Sequence, residues 1–189
     1  MQVIRSIEEL NQLAYRQAFG TLYMDPPWTY LKKRKKGAAS NHYKTMTMNE
    51  IASLPIDRLA LPKSHLHLWT TTPFLKNALT LMDGWGFDYK RMFVWCKPEM
   101  GLGNYWRISH EIMLLGVRGK LTFSDHSMRS WMSLARGRHS EKPDAVRDII
   151  ERVSPKPRIE LFGRKAVEGW TVFGDQVDTY ETQSGMELQ

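Results

Sequence analysis

Two adjacent prolines leave this chain few choices around residue 25. Pro26 and Pro27 have no amide hydrogen, so neither can continue a sheet ladder. The apolar run Phe19-Gly20-Thr21-Leu22-Tyr23-Met24 just before them is of the buried-strand kind, and it must stop at Asp25. A carboxylate is thereby placed at the carboxyl end of a buried strand, followed at once by a rigid turn and by Trp28.

The rest of the chain alternates between helical and extended patterns. Ser6 with Glu9 forms a capping-box pattern, and Ile7, Leu10 and Leu13 follow at helical spacing, predicting a helix over 6–17. Residues 48–60 read as a helix interrupted at Pro55, and Leu66, Leu68 and Trp69 as a strand. Pro73 opens a helix over Phe74, Leu75, Ala78, Leu79 and Met82 that Gly84 and Gly86 close. Residues 87–96 and 108–117 are rich in β-formers and flank a glycine-containing loop. Ser140 caps and Pro143 begins a helix whose apolar face is Val146, Ile149, Ile150 and Val153. Two strands follow, at 158–162 and 170–173. This order predicts an α/β sheet with helices on both faces, where ligands collect at the carboxyl ends of strands. Asp25 and the residues after Phe162 both belong there. With 189 residues and 42% hydrophobic content, one compact domain over 1–176 is expected, with a polar tail over 177–189.

A net charge of +7 favours a polyanionic partner. Its densest part, Lys32, Lys33, Arg34, Lys35 and Lys36, follows Trp28 closely and reads as a loop able to contact phosphates, though a charge run is as often only solvated. Arg129, Arg136, Arg138 and His139 extend the basic character. The single cysteine, Cys96, excludes an internal disulfide and a zinc cluster, and no apolar stretch approaches membrane-spanning length. The expectation is a cytoplasmic chain with no membrane partner. His65 and His67 alternate on one strand face, which fits packing or hydrogen bonding; no further ligands complete a metal site.

The turn at residue 25 suits one kind of chemistry. The exocyclic amine of adenine is a poor nucleophile, and a site that accepts both of its hydrogens holds the nitrogen in a better geometry. Asp25 supplies one acceptor and the Pro26 carbonyl the other, with no amide hydrogen on Pro26 to compete. Trp28 offers a face for stacking, worth about 1–3 kcal/mol per base in comparable contacts. The plainer alternative is a proline-stiffened turn with Trp28 as packing.

Tyr23-Met24-Asp25-Pro26-Pro27-Trp28, Tyr43-Lys44-Thr45-Met46, the glycine- and aromatic-bearing stretch 101–119 with its His110-Glu111 pair, His139-Ser140-Glu141-Lys142-Pro143-Asp144, Glu160-Leu161-Phe162-Gly163-Arg164 and Gly174-Asp175-Gln176 occur in one order. In series they resemble the adenine-N6 methyltransferase family. That family contains the catalytic subunit of the eukaryotic mRNA enzyme and bacterial and phage DNA-adenine relatives. The resemblance implies a Rossmann-like class I methyltransferase fold in circularly permuted order, the catalytic strand first and the cofactor strand late. It also implies S-adenosylmethionine as methyl donor. By position, Asp25 with Pro26, Pro27 and Trp28 forms the catalytic turn, and Asp25 also meets the cofactor. Lys142 pairs with the cofactor carboxylate; Glu160, Arg164, Asp175 and Gln176 surround its ribose and adenine. Family members usually carry asparagine where Asp175 stands. Tyr43 and Glu111 line the target-base side, and Asn104, Tyr105, Trp106 and Arg107 occupy a loop that grips the nucleic acid, with a packing role for Trp106 as the alternative. The expected reaction is N6 methylation of adenine in DNA. RNA adenosine methylation and a non-catalytic nucleic-acid-binding subunit are the alternatives. Relatives pair, so the resemblance admits a homodimer.

Overall fold

The run ahead of Asp25 is an inner strand of an eight-stranded sheet, and the helices are arranged about it. The computed structural model describes residues 2–29, 45–101, 105–135, 137, 142–175 and 177. In chain order the elements are β1 (Gln2–Ile4), α1 (Ile7–Ala14), β2 (Phe19–Met24), α2 (Met48–Ala52), α3 (Ile56–Leu59), β3 (Ala60–Thr70), α4 (Leu75–Gly84), β4 (Asp88–Cys96), β5 (His110–Arg118), β6 (Trp131–Ser133), α5 (Asp144–Val153), β7 (Arg158–Leu161) and β8 (Trp170–Phe173). A single 3-10 turn, Thr72–Phe74, leads into α4.

The strands lie in the order β1-β8-β7-β2-β3-β5-β4-β6. From β1 to β3 every pairing is parallel; β5 runs antiparallel to both β3 and β4, and β6 joins β4 in parallel. The carboxyl ends of β2, β3, β4, β7 and β8 therefore share one edge with the start of β5. Crossovers put helices on both faces, as parallel pairing requires. Alternation along β2 sends Leu22 and Met24 into a core with Leu10 and Leu13 of α1, Ile51, Ile56, Leu59, and Ala78, Leu81 and Met82 of α4. Tyr23 points the other way and joins Trp69, Trp95, Met113, Trp170 and Val172 beneath Val146 and Ile150 of α5.

The α/β class is as the sequence predicts, and several boundaries move. The first helix stops at Ala14, although Ser6 caps it through the Glu9 amide at 3.1 Å and Glu9 reaches back to the Arg5 amide at 2.9 Å. The pattern over 48–60 is two short helices joined at Pro55, the second ending as β3 begins at Ala60. Pro143, expected in the first turn of α5, stands at its N-cap; Ser140 lies outside the described residues. Strands β1 and β6 were not foreseen, because three residues carry no readable period. Val177, assigned to the tail, is buried in the α5-side core and accepts a bond from the Arg5 guanidinium at 3.2 Å; 178–189 lie outside the described residues.

Candidate active site

Asp25 leaves the carboxyl end of β2 with its amide bonded to the Leu161 carbonyl of β7 at 3.4 Å. Tyr23 and Glu160 are register partners on β2 and β7, so their side chains rise side by side on the α5 face. Together with Asp25, Lys142, Asp144, Arg147, Phe162, Arg164 and Lys165 they line a cleft open to solvent. Phe162, the first residue beyond β7, holds φ 67°, a left-handed conformation that costs a non-glycine residue about 1–3 kcal/mol. Its ring packs edge-on against Phe173 at 5.5 Å. The chain then passes under β8 so closely that a Cβ on Gly174 would lie 2.1 Å from the Gly163 carbonyl oxygen. The turn that forms one cleft wall is thus fixed from below.

Two alternating rows of charge meet in this cleft. In the first, Lys97 pairs with Glu111, Glu111 with Lys142 at 3.3 Å, and Lys142 with Asp25 at 2.6 Å. In the second, Lys165 lies 3.6 Å from Asp144, Asp144 lies 2.9 Å from Arg147, and Arg147 holds Glu160 through both oxygens at 2.8–3.1 Å. An aromatic floor supports the first row. Lys97 sits 4.3 Å over the Trp95 ring and Lys142 5.4 Å over Trp69, whose indole N–H donates to the Tyr23 hydroxyl at 2.8 Å. Charges placed so close to an apolar layer interact more strongly than in water.

The balance of burial and partners differs from group to group. Burial disfavours the Lys142 ammonium, but Asp25 and Glu111 outweigh it and hold the group above the usual lysine range. Burial pushes Glu111 up, yet Lys142 and Lys97 pull it below the ordinary carboxylate range. For Glu160 burial wins, and Arg147 only limits the rise. Burial, then Glu160, raises the Tyr23 phenol far out of the physiological range, so it stays protonated. As a donor set, the cleft offers ammonium and guanidinium groups for a carboxylate, and carboxylates for an ammonium and for hydroxyls. A zwitterionic ligand carrying a ribose fits that chemistry.

Of the residues singled out from sequence, Asp25, Lys142, Glu160 and Arg164 line the cleft, and Glu111 joins it through Lys142. Asp175 is exposed in the turn after β8 and is not among the lining residues. Trp28 requires a correction. Its ring is 7% exposed and stacks on Phe74 at 5.2 Å, within the core on the α1–α4 face, so it presents no open face to a base. The plainer packing alternative describes it. The Pro26 carbonyl already accepts from the Trp28 amide at 2.9 Å and keeps one lone pair for another donor; Pro27 accepts from Met46 at 2.9 Å. For Trp106 the packing alternative falls away: it is 96% exposed and Tyr105 95%, so neither has a core role, and Arg107 beside them is exposed too. Their loop joins β4 to β5 at the same sheet edge as Asp25. Lys32, Lys33, Arg34, Lys35, Lys36, Tyr43, Asn104, Arg136, Arg138, His139 and Gln176 lie outside the described residues.

Sequence reasoning missed Lys97, Asp144, Arg147, Phe162 and Lys165. Only Asp144 and Arg147 left a signal, as an i,i+3 pair of opposite charge at the start of α5. His65 and His67 are packed and hydrogen-bonded, both to Ser154 Oγ at 2.9 Å. No helix among the described residues is long and apolar enough to cross a membrane.

The sequence model of the family described as MT-A70 matches residues 19–176. The type II methyltransferase M.MunI of a Mycoplasma species is 30% identical over 92% of this chain and 84% of its own length. The N6-methyladenosine RNA methyltransferase MTA1 of Pyricularia oryzae is 27% identical over 96% of this chain and 54% of its own length. The N(6)-adenosine-methyltransferase subunit METTL3 of Danio rerio is 30% identical over 85% of this chain but only 28% of its own length.

Proposed function

The chain belongs to the MT-A70 family of methyltransferases, and on that premise we propose that it transfers a methyl group from S-adenosylmethionine to the exocyclic N6 of adenine in DNA. The observation that carries this reading is Asp25 at the carboxyl end of β2, sharing one cleft with Lys142 and Glu160. Residues 1–176 act as one catalytic domain in permuted order, with the strand bearing Asp25 early and the strand bearing Glu160 late. The support for DNA is extent. The chain spans most of a type II methyltransferase, whereas it spans about half and about a quarter of the RNA and adenosine enzymes.

Bound in the cleft, the cofactor supplies a methyl group on a sulfonium, so transfer disperses charge instead of creating it. The protein's contribution is then mainly position. Lys142 binds the cofactor carboxylate, Glu160 and Arg164 the ribose side. Asp25 and the free lone pair of Pro26 accept the two amine hydrogens and aim the nitrogen at the methyl carbon. Once methylated, the nitrogen would give up one proton, which Asp25 or water would accept. Buried Trp28, stacked on Phe74, keeps the turn rigid.

The test is labelled-methyl transfer to matched DNA and RNA oligonucleotides. Incorporation at N6 of adenine in DNA is expected; incorporation in RNA alone would replace DNA by RNA, and cofactor binding without transfer to either would favour a non-catalytic subunit. The fully exposed ring of Trp106 stacks on an unpaired or flipped base. Trp106→Ala should therefore weaken oligonucleotide binding by about tenfold, since one stacked base is worth about 1–3 kcal/mol, and leave the melting temperature unchanged. Unaltered affinity in a titration would remove the residue from the nucleic-acid surface. A homodimer that widens this surface is part of the proposal, and sedimentation tests it.

A further inference from the structure

The Arg147–Glu160 pair has a stronger geometry than a helix-to-strand tether needs. Arg147 donates from Nε to Glu160 Oε2 at 3.0 Å and from Nη2 to Oε2 and Oε1 at 2.8 and 3.1 Å. Its Nη1 donates to Asp144 Oδ1 at 2.9 Å, so one guanidinium is fixed at both ends. The side chains are 13% and 11% exposed, and both line the cleft. A bidentate guanidinium fixes the plane of a carboxylate as well as its position, which a lysine cannot do.

We propose that Arg147 is the positioning residue of the cofactor cleft: it holds Glu160 ionised and in one orientation, so that the lone pairs left over accept from the hydroxyls of the bound cofactor. This rests on the reading of Glu160 as a cofactor contact. Without Arg147 the carboxylate would stand in a buried wall facing Asp144 from α5, Asp25 and the Tyr23 phenol from β2, and the turn that carries Arg164. Burial and the two neighbouring carboxylates favour its protonated form. A protonated Glu160 loses acceptor capacity and gains a donor that has no use against a hydroxyl.

Calorimetric titration with S-adenosylmethionine and with its demethylated product, from pH 6 to pH 9, tests this. In Arg147→Met the apparent pKa that governs affinity should rise by at least about one unit above that of the unmodified chain. For a rise of one unit the variant then binds about threefold more weakly midway between the two midpoints, approaches tenfold below both, and recovers towards pH 9. Arg147→Met with Glu160→Gln should bind weakly at every pH, because the titrating group is gone. Affinity equal to that of the unmodified chain, or a loss identical at every pH, overturns the proposal and leaves Arg147 a structural residue. Should Arg147→Met fail to fold by circular dichroism, Arg147→Lys carries the test. It keeps the charge and loses the two-point grip, so several-fold weaker binding with a shifted midpoint is expected, and undiminished affinity refutes the idea. An unmodified chain that binds neither compound removes the cofactor reading itself.

Discussion

Asp25→Ala should lower the rate of methyl transfer by about 10²–10³-fold, the range found when one positioned polar group is removed from a reacting centre, while the protein stays folded. Asp25 is only half-buried and belongs to neither apolar core, so its loss opens no cavity there. Lys142 keeps Glu111 at 3.3 Å as a partner, so no buried ammonium is left unpaired. What disappears is one of the two acceptors that orient the amine, and the Pro26 carbonyl alone cannot fix a direction for attack. Asp25→Asn separates orientation from charge. Its amide oxygen still accepts one hydrogen, but its NH₂ group faces Lys142, donor against donor, and a partial rate between alanine and aspartate is expected. Single-turnover transfer to an oligonucleotide, with melting curves alongside, makes the measurement. Turnover of Asp25→Ala within tenfold of the unmodified chain would end the catalytic assignment.

Asp25 could be placed from sequence because proline punctuation is a local effect: two residues without an amide hydrogen end a ladder whatever packs around them. Lys142 and Glu160 were reachable only through their resemblance to a family, since nothing local to either residue says that they share a cleft. Lys97 was not reachable, and Arg147 showed only its i,i+3 pairing with Asp144, not its hold on Glu160. Their carboxylate partners come from other strands, and only the return of β5 beside β4 and the crossover from α5 to β7 bring them together. Which of the two tryptophans is packed was illegible for a related reason. Whether an indole is covered depends on a neighbour distant in sequence, which Trp28 finds in Phe74 and Trp106, on its loop, does not.

The buried histidines make the fold acid-labile well above the carboxylate range. His65 Nδ1 and His67 Nε2 share the single hydroxyl of Ser154, the residue that ends α5, and both rings pack against Phe123. One imidazole donates to the oxygen and the other accepts its hydrogen, an arrangement satisfied only while both rings are neutral. Burial, then the neighbouring His65, pushes His67 down to about 3; burial also lowers His65 against a partial bond to the Leu121 backbone. Between pH 6.5 and 3 the unfolded chain therefore binds a proton that the folded chain refuses, and stability is lost as pH falls through that window. His67 alone costs about 1.4 kcal/mol per pH unit, or about 2 kcal/mol between pH 6.5 and 5, a large share of a typical 5–15 kcal/mol. Glu160, raised by burial, binds its proton earlier in the folded state and opposes this trend in part. Urea unfolding from pH 7.5 to pH 5 should show the decline, and His67→Gln, whose amide can still reach Ser154, should flatten it by about 1.4 kcal/mol per unit. Parallel curves for the two proteins would exclude the histidine from the transition.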